Sequence, residues 1–588
     1  MKLDKWATAA SFVAAAALWV GSTAFAQQAT DAVAPEAASG VAAKQLVHAK
    51  DRMVVAANPI AAQAGLDVLR AGGNAADALV AVQTMLGLVE PQSSGIGGGA
   101  FLVWYDAATG KITTFDGRET APAAATPSLF LDKDGKAMPF FEAVVGGRSV
   151  GVPGVVRLME MVHQRYGKKP WAELFTPAAD LAEKGFAVSP RLSALIGDEV
   201  GRLDGQAAAK AYFFDAGGAP LKAGVTLRNP DYAATLRSIA AGGASAFYSG
   251  PIAEAIVKQV QGHPTNPGSL SLDDLAKYQV KEREAVCAPY RGMEVCGMGP
   301  PSSGALTIGQ ILAMTGEFDL QTLGPDDPEA WRIIGEATRL AFADRDRYMA
   351  DADFVKMPAG LLDPDYLKSR AALIRRATAL SEDEVSAGEP PWEKAELRRD
   401  GKSFEVPATS HFVIVDDAGN IASMTTTVES AFGSRLMAAG FVLNNQLTDF
   451  SFVPEADGKA VANRVEPGKR PRSSMAPTIV LEDGKPIYAL GSPGGSTIIP
   501  YVANTLIALV EWDKDMQAAI SLPHLANRFG TYELEAGTSA EALADDLEAL
   551  GYAVKVGELN SGLHGVKITP QGLEGGADPR REGVAVGD

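Results

Sequence analysis

The chain has 588 residues, with 53 Lys+Arg against 71 Asp+Glu and a formal net charge of −18. Hydrophobic residues make up 47% and charged residues 21%, a globular composition that excludes a disordered or collagen-like chain. The acidic balance excludes a nucleic-acid binder, which needs a basic face to meet phosphates. The chain opens with Lys2 and Lys5, an apolar run from Trp6 to Val20, and Ala24-Phe25-Ala26. This is the pattern of a signal peptide, residues 1–26, cut after Ala26. An uncleaved anchor is the competing reading, but the run is short for a span of about 20 residues, and no later stretch reaches spanning length. The expected destination is export, to the periplasm or the medium. Residues 27–45, rich in Ala and Gln, read as a mobile leader.

Asn58-Pro59 starts a helix with a cap and a proline at the first helical position, and Gly72-Gly73 ends it. Asn74 caps a second helix that runs to Leu88 before Pro91. Residues 100–105 and 111–115 read as strands, and residues 154–166, 229–241, 251–261 and 328–349 as helices. Residues 381–407 are charged, carry Pro390-Pro391 and lack apolar periodicity, so they read as an exposed linker. Alternating strands follow at 410–415 and 421–428, joined by the turn Asp416-Asp417-Ala418-Gly419-Asn420. Further strands are expected near 440–444, 477–481 and 486–491, and helices at 500–511 and 539–550. Two groups of strands with helices before and after them predict a layered α/β sandwich.

Cys287 and Cys296 are the two cysteines. If Arg291-Gly292 is a two-residue hairpin turn, they lie directly opposite one another. In an exported chain that register suits one disulfide, or two independent thiols. Six scattered histidines with no HExxH pair give no metal site.

Five motifs carry candidate chemistry. Gly95-Ile96-Gly97-Gly98-Gly99 lacks a P-loop ending and precedes a strand rather than a helix, so tight backbone packing is favoured over nucleotide binding. Gly147-Arg148-Ser149-Val150-Gly151 has the spacing of a nucleophile elbow, but Val152-Pro153-Gly154 intervene before the helix that should follow at once. At Ala408-Thr409-Ser410-His411 a charged linker gives way to a strand. A threonine hydroxyl there can attack its own preceding peptide and emerge as a new N-terminus, whose α-amine serves as general base. A three-residue loop at Asp417-Ala418-Gly419 sets Thr409 opposite Thr427. The same residues also suit an ordinary strand-start threonine. Gly494 and Gly495, after a strand, can present adjacent N–H groups as an oxyanion hole or form a tight turn. Lys469 to Met475 place cations beside hydroxyls.

These motifs occur together in one family. With Gly72 to Asp77, Pro91 to Phe101, Gly151 to Gly154, Pro300 to Gly304, Leu443 to Gln446 and Asp578-Pro579-Arg580, the chain resembles the γ-glutamyltranspeptidases, the γ-glutamyltransferase and glutathione-hydrolase group. The resemblance implies an N-terminal-nucleophile hydrolase, an αββα four-layer sandwich formed jointly by two self-cleaved subunits. It implies cleavage between Ala408 and Thr409 into a large subunit, residues 27–408 with 381–408 as linker, and a small catalytic subunit, residues 409–588, which stay together as a heterodimer. Thr409 would take the γ-glutamyl group of glutathione or a similar compound and pass it to water, an amino acid or a dipeptide, with no cofactor and no metal.

The implied roles map one by one. Thr427 would hydrogen-bond the nucleophile, and Gly494 and Gly495 would form the oxyanion hole. Arg118 would grip the substrate α-carboxylate with help from Ser473 and Ser474. Gln446, Asp449 and Glu429 would hold the α-amine. Glu429 is a departure, since bacterial relatives commonly carry asparagine there. Residues 450–467 contain no Tyr or Trp, where some relatives carry an aromatic lid, so an open site with prominent hydrolysis is expected. The alternative within the family is a glutaryl or cephalosporin acylase, whose substrates lack the α-amine.

Overall fold

The computed structural model describes residues 41–391, 399–401, 403 and 408–588. The expected signal peptide, most of the leader, and linker residues 392–398, 402 and 404–407 lie outside the described residues. Two antiparallel seven-stranded sheets form the centre. One runs, edge to edge, through Val47–Ala49, Gly572–Ala577, His564–Thr569, Lys485–Gly491, Thr478–Glu482, Met293–Gly297 and Val286–Tyr290. The other runs through Val584–Gly587, Met53–Ala56, Thr409–Val415, Ile421–Thr427, Gly99–Asp106, Lys111–Gly117 and Lys281–Arg283.

Side-chain alternation builds the layers. Val413 and Val415 point between the sheets with Met53, Val55, Val103, Ile479, Ala489 and Val566. Phe412 and Ile414, one residue out of phase, point outward with Val54, Leu102 and Trp104. There they meet the helices Pro59–Arg70, Ala75–Val89 and Val155–Tyr166. The other sheet is covered by Gly304–Thr315, Pro328–Tyr348 and Ile498–Val510. The result is helix, sheet, sheet, helix, as the layered α/β reading predicts. The helix caps fall where the sequence puts them. Asn58 Oδ1 accepts from the Ile60 N–H, and Asn74 forms a capping box with Asp77.

Two expectations need correction. The leader is not free up to residue 45, because Ala42 N–H donates to Pro579 O at 2.9 Å and Lys44 Nζ to Arg581 O at 2.6 Å. The linker is not simply exposed where it is described. Pro390, Gly401 and Ala408 are buried, Gly401 N–H donates to Asp346 O at 3.1 Å, and Ser403 Oγ accepts from Arg472 at 2.8 Å. Low apolar periodicity concealed these contacts because backbone and polar groups make them.

Cys287 and Cys296 pair in register on Val286–Tyr290 and Met293–Gly297, and their sulfurs are bonded. Among the described residues no helix is long and apolar enough to cross a membrane.

Candidate active site

Asp416 closes the central hairpin: its carboxylate accepts from the N–H groups of Ala418 and Asn420, each at 3.0 Å. That turn fixes the register, and Thr409 pairs with Thr427. Both threonines fall in the same phase as Val413 and Val415, on the face between the sheets.

The hydroxyls form a short relay. Thr409 Oγ1 donates to Thr427 Oγ1 at 3.2 Å, and Thr427 Oγ1 donates to the Ala408 carbonyl at 3.0 Å. Thr427 Oγ1 also accepts the Glu429 N–H at 2.8 Å. The peptide bond before Thr409 therefore has its carbonyl polarised and a hydroxyl held beside it. Behind the pair, His411 Nδ1 meets Thr425 Oγ1 at 2.8 Å. Burial holds the His411 imidazole well below its usual pKa, so it is neutral there.

A small cavity opens on Thr409. It is lined by Arg118, Thr409, Thr427, Glu429, Gln446, Asp449, Ser473, Ser474, Met475, Gly495 and Ile498. These include every side chain the sequence assigned to substrate. Gly494 is not in the lining; it sits one residue back at φ 142, with Gly495 at φ 57. Both values lie where side chains are strained, which is why this turn needs glycine.

Arg118 is buried and is the charge centre of the cavity. Its Nη2 donates to Asp449 Oδ2 and, at 3.0 Å, to Arg472 O, while Nε donates to Pro471 O at 3.2 Å. Gln446 Nε2 donates to the same Asp449 oxygen at 2.6 Å. Guanidinium, carboxylate and amide are thus braced together, positive on one side and negative on the other. Glu429 holds a backbone φ of +83, and its carboxylate accepts from Asn445 Nδ2 at 2.6 Å. Ser473 Oγ accepts from the Met475 N–H at 3.1 Å and Ser474 Oγ from Arg345 at 2.8 Å.

Several contributors escaped the sequence reading. Glu119 is buried with neither carboxyl oxygen hydrogen-bonded among the described residues. Burial pushes its pKa up to about 8, with Arg118, 3.9 Å away, pulling only partly back. It is therefore neutral at pH 7 and leaves the Arg118 charge to Asp449. Asn445 braces Glu429, and Arg581 donates to the Thr409 carbonyl at 3.0 Å. Arg581 stands one residue beyond the Asp578-Pro579-Arg580 motif, so that motif pointed to the right loop but stopped short of it.

Ser149 is placed elsewhere. It ends the single turn Gly147–Ser149 and donates to Val144 O at 2.6 Å, buried and outside the cavity. The glycines at 95–99 are packing glycines. A Cβ at Gly98 would lie 1.9 Å from the Thr427 carbonyl oxygen. Among the described residues no group of three or more His, Cys, Asp or Glu is placed to hold a metal ion.

The family model described as gamma-glutamyltranspeptidase matches residues 61–588. The chain is 38% identical over 561 residues to a Bacillus subtilis (strain 168) protein named glutathione hydrolase proenzyme, covering 92% of each. It is 35% identical over 562 residues to the acylase ACY 1 proenzyme of Pseudomonas sp. (strain SE83), covering 94% of this chain and 96% of that one. The solved cephalosporin acylase from Bacillus halodurans matches with a TM-score of 0.80 at 25% identity, over 94% of this chain and 99% of that chain.

Proposed function

The chain belongs to the γ-glutamyltranspeptidase family, and from that membership and its site we infer that it is a glutathione hydrolase and γ-glutamyltransferase, made as a proenzyme. Its fold is that of the N-terminal-nucleophile hydrolases. The observation that carries the reading is the relay from Thr409 Oγ1 through Thr427 Oγ1 to the Ala408 carbonyl.

In maturation, Thr409 Oγ1 attacks the Ala408 carbonyl carbon. The C–N bond breaks, the nitrogen takes a proton, and an ester remains that water hydrolyses. Thr409 then begins a small subunit of residues 409–588, with the large subunit ending at Ala408. In turnover the freed α-amine takes the Thr409 hydroxyl proton as the oxygen attacks the γ-carbonyl of the donor. The oxyanion is met by the Gly494-Gly495 turn. The donor's amine leaves with a proton, and water or an acceptor amine resolves the ester.

Arg118, aided by Ser473 and Ser474, receives the α-carboxylate, and Asp449, Gln446 and Glu429 receive the α-ammonium. The two ends of the glutamyl group thus match the two poles of the cavity. Export to the periplasm fits the first 26 residues. Phe450 and Phe452, the aromatics of residues 450–467, are buried in an apolar cluster with Phe130, so no aromatic of that stretch lines the cavity and hydrolysis should be prominent.

The acylase similarity supports a second reading, deacylation of glutaryl amides. A substrate without the α-ammonium forgoes charge-assisted hydrogen bonds to the carboxylates of Asp449 and Glu429, each worth about 1.5–3 kcal/mol. Processed protein should therefore hydrolyse γ-glutamyl-p-nitroanilide at least about ten-fold faster in kcat/KM than glutaryl-p-nitroanilide. It should release glutamate from glutathione without an added acceptor. The reverse preference would make the acylase reading the better one.

A further inference from the structure

The relay explains how Thr409 attacks but not what keeps its α-amine unprotonated once processing frees it. An unperturbed terminal amine has a pKa near about 8, so most of it is an ammonium at neutral pH. Around Thr409, the cavity supplies Arg118 bound to Asp449 and the carboxylate of Glu429, with the neutral Glu119 outside the lining, beside Arg118. The strands behind it supply His411 and His564, both held neutral by burial, His564 down to about 3. With Arg118 and Asp449 offsetting one another, the Glu429 carboxylate favours the ammonium, which is the wrong form for a general base.

The C-terminal loop supplies the opposing charge. Arg581 is buried, and its Nη1 lies 3.0 Å from the Thr409 carbonyl oxygen. Covalent geometry then puts the guanidinium within about 6 Å of the Thr409 nitrogen. The loop that carries Arg581 is fixed at both ends. Asp578 accepts from the Leu563 N–H at 2.9 Å and pairs with Arg580, which also holds Glu535. Lys44, whose ammonium burial lowers to about 8, donates to the Arg581 carbonyl at 2.6 Å, and Glu582 accepts from the Arg191 N–H at 2.9 Å. The backbone that carries Arg581 is thus set in place by contacts independent of Thr409.

We propose that Arg581 is a positioning residue for the nucleophile: anchored on the Thr409 carbonyl, it orients the residue freed by processing and disfavours the protonated form of its α-amine. This rests on the reading of Thr409 as an N-terminal nucleophile. A cation at that distance in a partly shielded site shifts a neighbouring amine downward by about one pH unit. The base is active unprotonated, so removing the charge moves the acid limb of the rate profile to higher pH.

The test is kcat/KM for γ-glutamyl-p-nitroanilide from pH 5 to 10, on processed wild type, Arg581→Gln and Arg581→Lys, with Thr409→Ala alongside. Wild type should have its acid limb below about 8. Arg581→Gln should move it up by about one unit, with about ten-fold loss at pH 6.5, recovery to within about threefold at pH 9.5, and little change in KM. Arg581→Lys should bring the limb back toward wild type. A limb in Arg581→Gln that coincides with wild type, or a loss equal at all pH values, overturns the proposal. If Arg581→Gln does not fold or process, the wild-type limb decides: at or above about 8 it overturns the proposal, and below 8 with Arg581→Lys retaining it, it supports it. An active Thr409→Ala protein would instead overturn the nucleophile reading itself.

Discussion

Glu119 shows what one buried acid does to the site and to stability. Its folded pKa is raised to about 8 from an ordinary 4.5, with burial as the main cause. Below about 4.5 the carboxyl is neutral in both folded and unfolded chains and its burial carries no charge. Between about 4.5 and 8 the unfolded chain ionises while the folded chain keeps its proton, so stability falls as pH rises, by about 1.4 kcal/mol per unit from this group alone. Above about 8 there is no further loss. Glu119→Gln removes this dependence. Denaturant unfolding at intervals from pH 5 to 8 should show wild type losing ground steadily against the variant; parallel curves would contradict the assignment.

The central hairpin is the element on which the site depends, and its register was readable because a turn of known length leaves no freedom over seven paired residues. The helix caps at Asn58 and Asn74 were readable for a similar reason, since local chemistry determines them. Other elements were not. Met53–Ala56 is a four-residue run buried on both faces, with no alternation to mark it. Gly572–Ala577 holds three glycines in six residues and is a strand only because its neighbours pair with it. Gly304–Thr315 is apolar nearly all round because it packs between the strand Val286–Tyr290 and the helices Pro328–Tyr348 and Ile498–Val510. Arg118, Asp449 and Ser473 were reached by motif; Asn445 lies inside the motif Leu443 to Gln446, which did not reveal its contact with Glu429, and Arg581 acts through a contact that no local spacing encodes. The glycine loop before Gly99–Asp106 also acts at this scale. A side chain at Gly98 would press on the Thr427 carbonyl and shift the hydroxyl that bridges Thr409 and Ala408. Gly98→Ala should lower stability by about 1–3 kcal/mol and slow self-cleavage at least ten-fold by intact mass. Wild-type processing in a destabilised Gly98→Ala protein would separate the loop's packing from its effect on the site.

At the scale of the whole molecule, both sheets draw strands from each side of the proposed cleavage point. Thr409–Val415 and Ile421–Thr427 lie between Met53–Ala56 and Gly99–Asp106. In the other sheet, Thr478–Glu482 pairs with Met293–Gly297, and Gly572–Ala577 pairs with Val47–Ala49. Breaking one peptide bond leaves all of these ladders and the core between the sheets intact. The two pieces should therefore co-elute as one species in native size-exclusion and separate only in denaturant. Separation under native conditions would mean that the interleaving does not hold them.

Thr409 is proposed as both the site of self-cleavage and the nucleophile. The most direct measurement is intact mass with N-terminal sequencing on wild type and Thr409→Ala, each assayed for release of glutamate from glutathione. The prediction is two chains in wild type, the smaller beginning Thr-Ser-His, against one uncut and inactive chain in the variant. A wild type that stays whole yet active, or a variant that is still cut or still releases glutamate, would contradict it.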